Sequence, residues 1–169
     1  MICIEGNLYL RELCKEYAQD IFNAIDTNRP YFEEWLPFVP LTKSVDDSLE
    51  YINSVIDAKE LVYTIREGKT FFGIIGFKET NIDTKTTELG YWLKEEYQGK
   101  GIITKAAKIL CDNAFKEREI KRIIIKVEVG NNKSKAIPER LDFVLQGIEK
   151  DTFCYNKTLN SYVFYKDNN

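Results

Sequence analysis

The sequence predicts a mixed α/β fold in one domain, built on a central sheet. Three observations carry that prediction. The chain has 169 residues, the size of one domain. Its apolar residues recur at helical spacing over the first third. The period then drops to that of strands, and later strands alternate with helical stretches.

Ile2–Ile4 and Leu8–Leu10 read as a first strand with a turn at Gly6-Asn7. Tyr17, Ile21, Phe22 and Ile25 repeat at helical spacing and predict a helix over Cys14 to Ile25. Arg29 to Trp35 reads as a short second helix ended by Pro37. Ser44 is an N-cap residue, and Asp47 supplies the acidic partner of a capping box. The helix that follows carries Leu49, Ile52, Val55 and Ile56 on one face. Leu61–Arg66 and Thr70–Lys78 flank Glu67-Gly68 and predict a hairpin. Thr86–Leu93 is a further strand. Thr104–Phe115 is a helix with Ile103, Ala106, Ala107, Leu110, Cys111 and Ala114 inward. Arg122–Val129 is a β-branched strand, Asn132–Leu141 a helix, and Val144–Lys150 and Leu159–Tyr165 two last strands before a loose tail from Lys166 to Asn169.

Composition narrows the function. A net charge of −3 lacks the broad positive field that nucleic acid or an anionic membrane surface demands. No apolar run reaches the ~20 residues needed to span a bilayer, and the N-terminus lacks the long apolar core of a signal peptide. With no histidine in the chain, every histidine-based triad or general base is excluded. Cys3, Cys14, Cys111 and Cys154 form no CxxC pair, so no metal site is expected, and free thiols fit the reducing cytoplasm.

The chemistry-bearing stretch runs from Glu88 to Lys105, with Gly99 and Gly101 between a strand and a helix. Backbone N–H groups at a helix start lack intrahelical partners and sit at the positive end of the dipole. Glycines let a phosphate approach them. The loop is neither a Walker loop nor GxGxxG, and a plain turn has the same appearance.

Four segments in order resemble the GNAT superfamily of N-acetyltransferases, in particular its RimL/RimJ-type members that acetylate protein N-termini. They are NRPYFEEWLPFV at Asn28 to Val39, the ELGYWL run from Glu88, Gln98-Gly99-Lys100-Gly101-Ile102, and Asn131-Asn132-Lys133-Ser134 with Glu139-Arg140-Leu141-Asp142-Phe143. The third resembles the family's pyrophosphate signature Gln/Arg-x-x-Gly-x-Gly/Ala, with Ile103 where the last small residue stands.

The resemblance implies the GNAT fold: a mostly antiparallel sheet, flanked by helices, in which Thr86–Leu93 and Arg122–Val129 run parallel and splay apart. It implies acetyl-CoA as co-substrate. Backbone amides of Gly99 to Thr104 would hold the pyrophosphate. The expected cofactor contacts are Trp92, Leu93, Gln98, Gly99, Lys100, Gly101, Ile102, Ile103, Thr104, Asn131 and Ser134. A main-chain N–H near Tyr91–Leu93 would stabilise the oxyanion. Ser134 would protonate the departing thiolate. The family's catalytic glutamate falls on Phe153, with Asp151 nearby, so Glu88 is the substitute candidate for the base.

Each has a plainer alternative: Glu88 as an ion-paired strand residue, Ser134 as an ordinary first-turn residue, Asn131 as an N-cap, and Tyr31, Phe32, Trp35 and Phe38 as core. Pro138 inside its helix and Asp142 in place of the usual glycine are further departures. A terminal amine of pKa ~7.7–8.0 is ~10–15% neutral at pH 7, against ~0.04% for a lysine, so a chain lacking the glutamate suits an α-amine. The acceptor implied is a protein N-terminus. A small amine, or a weakly catalytic acyl-CoA-binding role, are the other readings, and a homodimer is also expected.

Overall fold

The computed structural model describes residues 1–154 and 157–168, with the Cys154 side chain outside the described residues. Two short strands open the chain, β1 (Ile2–Glu5) and β2 (Leu8–Glu12). Gly6 has φ 53, so the predicted turn reverses the chain fully and makes a hairpin where one strand was expected. Helix α1 (Ala18–Thr27) begins later than predicted, because Cys14 is extended and a 3₁₀ turn over Lys15–Tyr17 precedes it. Helix α2 (Arg29–Glu33) has Pro30 in its first turn and ends before Trp35. Helix α3 (Val45–Asp57) is closed by the predicted capping box. Asp47 N–H donates to Ser44 Oγ at 3.3 Å, and Ser44 N–H donates to Asp47 Oδ2 at 2.7 Å. The Ser44→Ala variant is expected to lose about 1 kcal/mol in urea denaturation. The buried side of α3 is Ser48, Ile52 and Val55, which leaves Ile56 at its edge and 45% exposed.

Strands β3 (Val62–Glu67) and β4 (Thr70–Asn81) turn at Gly68-Lys69, since Glu67 already pairs with Thr70. Strand β5 (Thr86–Leu93) matches its prediction. Helix α4 (Ile102–Glu117) starts earlier than Thr104, directly at Gly101. Strand β6 (Arg122–Glu128) and helix α5 (Asn132–Arg140) follow. Pro138 lies in the last turn of α5, and Phe143 N–H returns to the Pro138 carbonyl at 3.0 Å. Asp142 adopts φ 58, the glycine-like conformation expected after this helix. Strands β7 (Val144–Cys154) and β8 (Lys157–Asp167) are both longer than predicted. The tail is tied rather than loose at Asp167, which accepts from Arg122 at 2.6 and 2.8 Å; Asn169 lies outside the described residues.

The sheet order is β1-β2-β3-β4-β5-β6-β8-β7. Every pairing is antiparallel except β5 with β6, which α4 connects as a crossover. That parallel pairing covers only Thr86–Arg122, Thr87–Ile123 and Glu88–Ile124. Beyond Glu88 the two strands part.

Apolar side chains pack on both faces. Ala106, Ala107 and Leu110 of α4 lie with Ile123, Ile125 and Phe164. Ile21, Ile25, Phe32 and Ile52 from α1–α3 lie with Ile74 on the other side. Each fully buried Ile or Leu stabilises the fold by about 1.5–3 kcal/mol. The α4 layer carries β5 and β6 together through Leu89, Leu93, Ile123 and Ile125, while the α1–α3 layer reaches β5 at Trp92.

Candidate active site

A cleft of about 980 Å³ occupies the region where β5 and β6 diverge. The backbone of β5 aims its groups into it. Lys94 N–H donates across to Phe72 of β4 at 2.9 Å. Because successive residues of a strand direct their N–H to opposite sides, Leu93 and Tyr91 point theirs the other way, into the gap. Trp92 turns its N–H toward β4. Its indole instead forms cleft wall, edge-on to Phe32 at 5.2 Å and to Phe71 at 5.7 Å.

One end of the cleft is a bare helix start. Gly99 and Gly101 adopt φ 73 and 72, a conformation that L side chains resist. Gly101 is the N-cap of α4 and offers no capping side chain. The first-turn N–H groups of Ile102, Ile103 and Thr104 therefore remain for a ligand, and all three residues line the cleft. Ile103 is 7% exposed and packs its side chain into the core, so its bulk does not fill the cradle. Lys100 lies outside the lining, its ammonium 5.5 Å from the Tyr97 ring. Gln98 crosses the cleft. Its amide donates to the Tyr31 hydroxyl and to the Leu93 carbonyl at 3.2 Å, and Lys133 donates to it at 3.5 Å.

Across the gap stands the start of α5. Asn131 is its N-cap, accepting from Ser134 N–H at 3.1 Å, so the capping reading describes its carbonyl oxygen while its residue still borders the cleft. Ser134 Oγ donates to the Tyr91 hydroxyl at 3.3 Å, and that hydroxyl donates to the Ser134 carbonyl at 3.2 Å. Burial pushes the Tyr91 phenol far above its ordinary pKa, so it stays neutral. Tyr91 thus steadies Ser134. Strand alternation puts Tyr91 on the face of Leu89 and Leu93, but no spacing in the sequence indicates that α5 would meet it there.

The three positions considered for the base, Glu88, Asp151 and Phe153, fall outside the cleft lining. Glu88 is 11% exposed and pairs with Lys78 at 3.0 Å and Lys126 at 3.9 Å. Glu149, at 2.8 Å, keeps Lys126 charged. Glu88 is absent from the cleft lining, so the ion-paired strand reading describes it. Asp151 sits in a turn-like bulge at φ 54, its N–H on the Asn160 side chain, and Phe153 is 71% exposed. Of the aromatic residues, Phe38 packs against the α1–α3 core, Phe32 is buried there and also borders the cleft, and Tyr31 and Trp35 line the cleft.

The family model described as Acetyltransferase (GNAT) domain matches residues 7–144. Among curated relatives, YdaF of Bacillus subtilis (strain 168), provisionally named a ribosomal N-acetyltransferase, is 29% identical over 96% of this chain and 91% of its own length. The ribosomal-protein-serine acetyltransferase of Escherichia coli (strain K12) is 25% identical over 97% of this chain and 94% of its own. The spermidine N(1)-acetyltransferase of the same organism is 28% identical over 82% and 73%. Among solved structures, the microcin C7 self-immunity acetyltransferase MccE, in complex with acetyl-CoA and AMP, superposes with a TM-score of 0.88 at 25% identity, covering 97% of this chain and 94% of that one. The ribosomal L7/L12 acetyltransferase RimL, in complex with coenzyme A, gives 0.91 at 21% identity over 98% and 97%, a likeness of fold.

Proposed function

The chain belongs to the GNAT acetyltransferase family and is an acyl-CoA-dependent N-acetyltransferase, and from that premise we propose that its acceptor is the α-amino group of a protein N-terminus. The observation that carries the acceptor reading is the chemistry of the cleft. Among the described residues its lining offers one carboxylate, Glu95, against Lys105, Lys133 and Arg140, and one wall is the aromatic group Tyr31, Phe32, Trp35 and Trp92. Such a wall receives a chain end through apolar contact. It offers little to a polycation, whose several charges each require a partner. The two relatives named for ribosomal proteins support the same reading.

Acetyl-CoA fits the cleft on an observation of this chain: a helix start with glycine at its cap and no side chain claiming the first-turn amides. Ile102, Ile103 and Thr104 N–H would hold its pyrophosphate, with Gln98, Gly99 and Asn131 alongside. The bound group supplies the activated acetyl thioester. Leu93 and Tyr91 N–H, directed into the gap, are the candidates for polarising the acetyl oxygen. Ser134, held by Asn131 and Tyr91, would give a proton to the thiolate leaving group. The incoming amine needs no strong base when part of it is already neutral near pH 7.

The spermidine enzyme among the relatives favours a second reading, a polyamine acceptor. Both are tested by following thiol release from acetyl-CoA with free-N-terminal peptides beginning with Ser, Ala or Met, an Nα-blocked lysine peptide, and spermidine. The expected result is turnover on the free peptides and little on the others. Faster turnover of spermidine or the blocked peptide rules out the N-terminal acceptor. Ser134→Ala is expected to lower kcat about 10²-fold with acetyl-CoA affinity unchanged. An unaltered kcat removes Ser134 from the proton path.

A further inference from the structure

Strand alternation divides β6. Ile125 and Val127 are buried with α4 and α5, so Lys126 and Glu128 face the opposite side. Past Ile124 the strand has no β5 partner, and Glu128 therefore stands at the open end of the gap, on the side opposite α4. Its carboxylate is 20% exposed and holds the Lys157 ammonium at 3.1 Å. The same ammonium donates to the Glu34 carbonyl at 3.1 Å. Glu34 immediately precedes Trp35, a wall residue of the cleft, whose ring lies 3.7–3.9 Å from where a Cβ on Gly130 would stand. A primary ammonium thus sits next to the cleft wall at Trp35, just outside the lining itself, neutralised by a strand carboxylate and hydrogen-bonded to a carbonyl at the end of α2.

These are the groups that recognise any R–NH3⁺: one full negative charge, partly screened from water, and a carbonyl acceptor set across from it. Lys157 is itself 40% exposed, so its hold is exchangeable. We propose that Glu128 and the Glu34 carbonyl form a docking subsite for the protonated amine of the acceptor, and that Lys157 is an internal ligand occupying it in the free protein. The assignment rests on the N-terminal acceptor reading. A carboxylate beside an ammonium favours the charged form. The subsite therefore captures the protonated acceptor, and as the amine leaves the carboxylate for the thioester it releases its proton to water, as an α-amine of pKa ~7.7–8.0 does near neutral pH. A tethered competitor acts at an effective concentration in the millimolar range and weakens apparent affinity accordingly.

The competition gives the two partners opposite signatures. Calorimetric titration of a Ser-initiated tetrapeptide into the CoA-bound protein is the direct measurement, with the Nα-acetylated peptide as control. Lys157→Met, which keeps length and removes charge, is expected to tighten binding of the free peptide about 3–10-fold. Glu128→Gln is expected to weaken it about 10-fold, and Glu128→Asp to restore most of the loss. Neither variant should move the blocked peptide or CoA itself. Lys157→Met and Glu128→Gln shifting affinity in the same direction overturns the subsite, because a purely structural clamp behaves that way. Equal shifts for the blocked peptide overturn it too. Opposed shifts without any acetyl transfer to the peptide overturn the acceptor reading and leave the ammonium subsite standing. Transfer without opposed shifts does the reverse, and absence of peptide binding overturns both.

Discussion

Gly73→Ala is expected to destabilise the protein by about 3 kcal/mol or more. A Cβ at Gly73 would stand 2.2 Å from the Trp92 carbonyl oxygen and 2.9 Å from Leu93 Cα. Both are backbone atoms of the paired strand, so no side chain can swing aside. Overpacking alone costs about 1–3 kcal/mol, and here β4 and β5 must separate as well. At about 2–4 °C per kcal/mol for a chain of this size, Tm should fall by roughly 6–12 °C. Gly90→Ala is the matched control on β5. Its nearest neighbour is the flexible end of Lys78 at 3.7 Å, and its Tm should stay near that of the parent. Equal Tm values for the two variants would show that the close approach at Gly73 does not govern the sheet. Because the collision falls on Trp92 and Leu93, the folded remainder of Gly73→Ala should also have lost acetyl-CoA binding.

Gly101→Val should separate binding from stability. Nothing lies within 4 Å of a Cβ there, so space is not at issue. Conformation is: φ is 72, and a left-handed residue other than glycine costs about 1–2 kcal/mol, more when β-branched. The exposed loop can escape by rotating out, at the expense of the direction of the first-turn amides of α4. The expected outcome is a 10–100-fold rise in the Kd for acetyl-CoA with Tm within about 3 °C of the parent. Gly101→Asn, which accepts left-handed φ more readily, should keep most of the affinity. Parent-like binding by the valine variant would mean that the helix start does not hold the pyrophosphate.

The fold was legible wherever a local signal decided the structure. The capping box at Ser44 and Asp47, the turn at Gly6-Asn7 and the strand Thr86–Leu93 are all written in neighbouring residues. Element ends were less legible. Helix α4 begins two residues before Thr104, at Ile102, because Gly101 in its left-handed conformation caps it there and the apolar stripe does not mark that position. Strands β7 and β8 lengthen by pairing with each other beyond the core, where side-chain pattern carries no information. The site divides in the same way. Its glycine loop ahead of α4 could be read from spacing. The Tyr91–Ser134 contact, the Gln98 crossing and the Glu128–Lys157 pair join distant segments, and a periodicity cannot reveal which faces will meet. Glu88 was drawn elsewhere by Lys78 and Lys126, cations on flanking strands that no motif connects to it.

The short parallel seam has an effect on exchange with solvent. Only Thr86, Thr87 and Glu88 join β5 to β6, so the eight strands are two smaller sheets sharing one brief ladder. Past it, the amides of Tyr91 and Leu93 face the opening without a strand to accept them. Such groups trade hydrogen for deuterium quickly unless something supplies a carbonyl. Any molecule lying along the gap becomes, in effect, a ninth strand for this stretch. Deuterium uptake at Tyr91 and Leu93, set against the fully laddered residues of β4, would then report occupancy of the seam before any acetyl group has moved.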